Sequence, residues 1–133
     1  MSTNETGEGS LEKDGWALLS AEQYQGAHPG FLLPSLDERA SVRAGQAVKL
    51  LFDIETREKG RVIDGGLDRM WVIIRRQCEG GYVGVLDSDP GLAENIRLRP
   101  EDEVSVGPEH ITEIDSLPLE YLMKRYGADC FDD

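Results

Sequence analysis

DRMWVIIRRQCEGGYVGVLDSDPGLAENIRLRPEDEVSVGPEH, residues 68–110, is the stretch whose reading decides the fold. Arg69-Met-Trp-Val-Ile-Ile-Arg-Arg-Gln77 and Tyr82-Val-Gly-Val-Leu-Asp87 flank Glu79-Gly80-Gly81. A glycine pair supplies the positive dihedrals of a tight hairpin, so two antiparallel strands are expected here. Side chains alternate across a pleated strand. Met70, Val72 and Ile74 therefore share one face and Trp71 and Ile73 the other, while Tyr82, Gly84 and Leu86 oppose Val83, Val85 and Asp87. Asp89 suits the cap of a helical turn opened by Pro90. Arg99-Pro-Glu-Asp-Glu103 then turns the chain into Val104-Ser-Val106, and Gly107 to Ile111 reads as another short helical turn.

A shortened copy of this pattern lies upstream. At a shift of 56 positions Pro34 falls on Pro90, Val42 on Leu98, Arg43 on Arg99, Val48 on Val104 and Leu50 on Val106. Trp16-Ala-Leu-Leu matches Trp71-Val-Ile-Ile at 55, one residue out of step. Two related half-modules are expected, over about 15–55 and 69–113, joined by a polar, glycine-rich linker or hairpin arm at 56–68.

The 133 residues suit a single domain over 14–127, between an N-terminal disordered acidic tail at 1–13 and a C-terminal acidic tail at 128–133. Trp16 to Leu19 and Gly30 to Leu33 read as short strands, and Gln46 to Glu55 as a longer, largely buried one. Ser20-x-x-Gln23 and Ser35-x-x-Glu38 have the spacing of helix-capping boxes. They predict a helix that stops near Gly26 and one from Leu36 to Ser41, with His28 a loop residue between them. Near the C-terminus Leu119, Leu122, Met123 and Tyr126 recur at helical spacing. That predicts an amphipathic helix over 117–126, capped by Ser116 and stopped by Gly127, with Glu120 and Lys124 paired on its polar side. The fold class expected is α+β and β-rich: a compact twisted antiparallel sheet or small partly open barrel with short helices.

Charge bears most on function. Fourteen basic and 26 acidic residues leave −12, a field that repels phosphate backbones, so nucleic acid is not an expected partner. The balance is uneven. Residues 39–76 hold Arg39, Arg43, Lys49, Arg57, Lys59, Arg61, Arg69, Arg75 and Arg76 against five acids, net +4, leaving −16 for the rest. No apolar run approaches the length of a membrane span, and the N-terminus lacks the basic start and apolar middle of a secretory signal, so a cytoplasmic location is expected. Cys78 and Cys130 are too few and too unpatterned for a disulfide framework or zinc site, and are expected reduced.

DRMWVII, GVLDSDP, LRPEDEV and GPEHI together resemble a small bacterial family described only as a domain of unknown function. Its members share a Met-Trp-Val strand, a Gly-x-Leu-Asp-x-Asp-Pro turn and a Gly-Asp-x-Val turn into a strand. The resemblance covers about residues 68–115, and the half from GWALLS to KLLFDIE is similar to an accompanying segment in related proteins. Glu101-Asp102 stands where the family has glycine before aspartate. The resemblance implies a compact β-rich fold and a bacterial source, and no assigned activity. Such domains are also similar to some proteins found beside toxin and immunity genes.

No catalytic, phosphate-binding or dinucleotide motif is present. Asp87-x-Asp89 with Glu109 and His110 offers hard oxygen donors, but the spacing matches no calcium loop. The function expected is therefore non-enzymatic protein binding, in an immunity- or antitoxin-like manner against a basic partner, with no cofactor or metal. Its contact residues are expected to be Arg57, Lys59, Arg61, Arg75 and Arg76 with the aromatics Trp71 and Tyr82. A small-ligand or metal-binding β-barrel module is the alternative, ahead of a nucleic-acid-binding small barrel. Oligomeric state is not legible.

Overall fold

The structure, a computed structural model, describes residues 9–10, 15–59, 61–87 and 102–127. The predicted turns at Pro90 and Arg99, and the tail at 128–133, lie outside them. Seven strands form one antiparallel sheet: β1 Gly9–Ser10, β2 Trp16–Leu18, β3 Gln46–Glu58, β4 Arg61–Cys78, β5 Gly81–Leu86, β6 Glu103–Val106 and β7 Ile111–Ser116. Helix α1 (Ala21–Ala27) and helix α2 (Leu36–Arg39) lie between β2 and β3. A 3-10 turn, Pro108–His110, precedes β7, and helix α3 (Leu119–Tyr126) follows it.

Strands β3 to β6 form a meander in sequence order. One edge of β3 pairs with β4; the other takes β7 along Gln46 to Leu50 and then β2 along Phe52 to Ile54. Because the 3-10 turn returns the chain from β6 to β3, the sheet curls into a half-barrel. Its inner face gathers Trp16, Val48, Leu50, Phe52, Val72, Ile74, Leu86, Val104 and Ile111 into the main core. The Trp16 and Phe52 rings meet at 5.6 Å. Each such side chain, taken fully out of water, contributes about 1.5–3 kcal/mol before entropy is counted. A smaller cluster on the outer face joins Ala47, Ile73 and Val85 to Leu122 of α3, with Trp71 and Leu117 against it.

The hairpin at Glu79-Gly80 has its expected faces, with Met70, Val72 and Ile74 inward and Trp71 and Ile73 outward. Gly80 takes the positive φ (80°) that the turn requires. At Gly84 the strands come too close for a side chain. A Cβ there would overlap Val72 Cγ1 and lie 2.9 Å from the Ile73 carbonyl oxygen.

Several expectations need correction. Of the two readings of residues 56–68, the linker gives way to the hairpin arm, since β3 and β4 pair from Ala47↔Ile73 to Glu58↔Arg61 with one register shift between Thr56 and Arg57. The stretch is a hairpin arm, paired by its backbone rather than by an apolar pattern. The Trp16–Trp71 match also breaks down: Trp16 is in the inner core and Trp71 on the outer face. A one-residue slip exchanges the faces of a strand. At a shift of 56 Trp16 falls instead on Val72, which does share the core.

Gly30 to Leu33 is not a strand. It is the connection between α1 and α2, tied by Gln25 Nε2 to the Phe31 carbonyl at 2.8 Å, and Leu32 is 83% exposed. Nor does Ser116 cap α3. It ends β7, its Oγ accepting from Gln46 Nε2 at 3.1 Å, and Pro118 occupies the N-cap. In α3 Leu122 is buried but Met123 is nearly half exposed. Within the stretch read as a tail, Gly9 and Ser10 pair with β2. Among the described residues no helix is long and apolar enough to cross a membrane.

Candidate functional site

The residues expected to form a contact surface do not come together. Lys59 and Arg61 flank the tip of the β3–β4 hairpin, both exposed; the Arg57 side chain lies outside the described residues. Arg75 and Arg76 are a hairpin's length away along β4, where the register slips between Ile74↔Gly84 and Arg76↔Val83. This bulge lets two consecutive residues reach the same side of the sheet. Both guanidinium groups meet the Glu103 carboxylate, Arg75 in a hydrogen-bonded pair and Arg76 at 3.8 Å. Trp71 is half-buried on the outer face, with Lys49 Nζ 5.1 Å from its ring centre. Tyr82 is 3% exposed. Its hydroxyl donates to the Arg39 carbonyl (2.7 Å) and accepts from the Val42 amide (3.2 Å), so it secures the chain after α2 and presents no surface.

The basic middle of the chain is also not a free patch. Arg39 pairs with Glu22, Lys49 with Glu113, and Arg75 and Arg76 with Glu103. All three carboxylates come from outside residues 39–76. The charge separation seen along the sequence is therefore, at these positions, a set of internal pairings between the middle of the chain and its flanks.

A different arrangement forms where α1, α2 and the 3-10 turn meet. Ser20 caps α1 by accepting the Gln23 amide hydrogen at 3.2 Å. Ser35 and Glu38 form a reciprocal capping box on α2, with Ser35 N–H donating to Glu38 Oε1 (3.0 Å) and Glu38 N–H to Ser35 Oγ (3.1 Å). The box places Arg39 at the end of its turn facing inward, where it is 7% exposed. Its Nε donates to the Pro34 carbonyl at 2.9 Å. Its Nη1 donates both to Glu22 Oε2 (2.8 Å) and to the Pro108 carbonyl (3.0 Å). One buried guanidinium thus joins α1, α2 and the 3-10 turn, and Gln77 Nε2 adds a bond to the Val42 carbonyl at 2.6 Å.

Between α1 and the 3-10 turn lies an open cleft of about 670 Å³. Leu18, Leu36 and Pro108 supply its apolar surface, Glu22 and Glu109 its carboxylates, and His110 lies at its base. The two glutamate side chains are 49% and 46% exposed, whereas His110 is buried. His110 Nδ1 accepts the Gly107 amide hydrogen at 2.9 Å, which places the proton of the neutral ring on Nε2, 3.9 Å from Glu109 Oε2. The imidazole thereby closes the 3-10 turn and holds the strand exit in shape. Among the described residues no group of three or more His, Cys, Asp or Glu is placed to hold a metal ion. The carboxylates considered from sequence are dispersed: Asp87 accepts from the Tyr121 hydroxyl of α3 at 3.0 Å, Glu109 lines the cleft, and Asp89 lies outside the described residues. Cys78 is an exposed free thiol.

Sequence reasoning passed over Glu22 and Leu36 as site residues and weighed Glu109 only as a metal-donor candidate. The helix caps and the turn at Pro108 were visible locally, but their meeting depends on Arg39 reaching a carbonyl 69 positions away. In sequence that arginine counts as one more surface cation. The chain matches no protein-family model, no curated protein and no solved structure.

Proposed function

We propose that this chain is a non-enzymatic protein-binding domain whose partner is basic, acting in the manner of an immunity or antitoxin protein that occupies a partner's cationic surface. One observation carries the reading. Four of the nine cations of the chain's middle, Arg39, Lys49, Arg75 and Arg76, are engaged internally by carboxylates of the flanks, while the chain as a whole keeps a charge of −12. An acidic surplus of that size draws a cationic protein in by long-range attraction and turns polyanions away. The sequence resemblance to domains like some found near toxin and immunity genes points the same way.

The test is capture by the tagged protein from its host lysate at low salt, with elution along a salt gradient and identification by mass spectrometry. The expected result is one stoichiometric basic protein released at moderate salt, since exposed attractions are screened within about 8–10 Å under ordinary ionic conditions. The volume of the cleft supports a second reading, a small-ligand site, because pockets of about 300–1,000 Å³ take such molecules. An empty eluate, together with a rise in melting temperature on addition of a metabolite, would replace the first reading with the second.

A further inference from the structure

We infer that the cleft between α1 and the 3-10 turn is the docking point for that partner, and that it receives a lysine or arginine side chain carried beside an apolar residue. This rests on the protein-binding reading above and adds the place and the chemistry.

Three features support it. The first is the lining. A long basic side chain has an apolar stem and a charged head. Leu18, Pro108 and the 58% exposed Leu36 match the stem and its apolar neighbour, and the half-exposed Glu22 and Glu109 match the head.

The second is the balance of charge. Arg39 neutralises Glu22, so the surplus in the cleft is that of Glu109. Asp37 and Glu38 follow Leu36 on the exposed turn of α2, outside the cleft lining, and make its approach acidic. An anionic occupant would face that surplus at Glu109.

The third is rigidity. Arg39 Nη1 is bonded to Glu22 on one wall and to the Pro108 carbonyl on the other, so the walls are cross-linked before anything binds. A site already in its binding geometry loses less entropy on association.

The probe is a short labelled peptide of alternating leucine and arginine, set against the same peptide with glutamine for arginine, titrated into the full-length protein by fluorescence anisotropy and by amide NMR. Expected are salt-dependent binding of the arginine peptide alone and shifts centred on Leu18, Gln23, Leu36, Glu109 and His110. Glu109→Gln and Leu36→Ser should each weaken binding about tenfold, whereas Glu120→Gln on exposed α3 should change it less than about twofold. Retained amide dispersion shows that the variants are folded.

Equal binding of the glutamine peptide overturns the charge assignment. Shifts elsewhere, or an unaffected Glu109→Gln protein, overturn the location while leaving the protein-binding reading intact. Failure of the peptide beside successful capture of a basic protein from lysate has the same meaning. If both fail, the reading beneath falls as well.

Discussion

Lys59 is the residue at which local chemistry and backbone disagree. Among the described residues it is the one non-glycine with a positive φ, 51°, at the tip of the β3–β4 hairpin. A left-handed dihedral brings Cβ against the following carbonyl and costs about 1–2 kcal/mol outside glycine. Lys59→Gly relieves that strain but gives the unfolded chain more freedom, so a net gain of about 0.5–1 kcal/mol is expected, read as a higher urea midpoint at unchanged slope. Glu38 supplies a pH-dependent counterpart. The Ser35 amide, and then its hydroxyl, hold the Glu38 carboxyl below the ordinary glutamate range, against a smaller opposing effect of burial. A carboxyl depressed in the folded state stabilises above its unfolded pKa, and the contribution is lost as pH falls through the lowered folded value. In an NMR titration the Glu38 carboxyl should protonate below the ordinary glutamate range and the Ser35 amide should move with it. Glu38→Gln should abolish that movement while keeping α2 capped.

At the scale of elements, what was legible in the sequence is what local chemistry alone determines. The Gly80 turn, the Ser35–Glu38 box and the facing of Trp71 against Val72 all follow from spacing, and the structure has them. Strands that break the two-residue period were hidden. Ile111 and Ile114 are three apart, which disguises β7, yet they oppose Leu50 and Val48 on one face because the register slips at Thr112. Thr112 fills the irregularity by donating from Oγ1 to the Lys49 carbonyl at 2.9 Å. The first half of β4 was legible only as one of two alternatives, a linker or a hairpin arm, since its pairing with β3 is made by backbone and its residues are largely polar. The cleft could not be read at all, because its walls are joined by Arg39. Arg39→Met keeps much of the packing volume but removes the bonds to Glu22, Pro34 and Pro108. Glu22 can return to water, so the cost should be about 2–3 kcal/mol rather than that of stranding a buried charge. Amide exchange should quicken over 20–42 and 107–110 more than over the β4–β5 hairpin; uniform acceleration would mean that the layer and the sheet open together.

For the whole molecule, the question is which of two electrostatic effects prevails. Internal pairs attract, and salt weakens them. The surplus of −12 repels itself, and salt relieves it. Among the pairs the Arg39 guanidinium is buried, at 8% exposure; the Lys49–Glu113 and Arg75–Glu103 pairs are open to solvent by 24% or more on each side. Exposed pairs are worth at most about 1 kcal/mol each and often nothing measurable. The repulsive surplus acts over the whole surface and should dominate. Raising sodium chloride from about 0.01 M to about 0.15 M shortens the screening length from about 30 Å to about 8 Å, before ion-specific effects become large. The melting temperature should then rise by about 2–4 °C, as expected for somewhat under about 1 kcal/mol in a chain of this size. Over the same interval affinity for a basic partner should fall, because the charge that destabilises the free protein is the charge that attracts the partner. Opposite signs in the two titrations, run on one preparation, would tie stability and recognition to a single acidic field. A melting temperature that falls with salt would instead show that the paired flanks outweigh the surplus and that the acidity is chiefly structural.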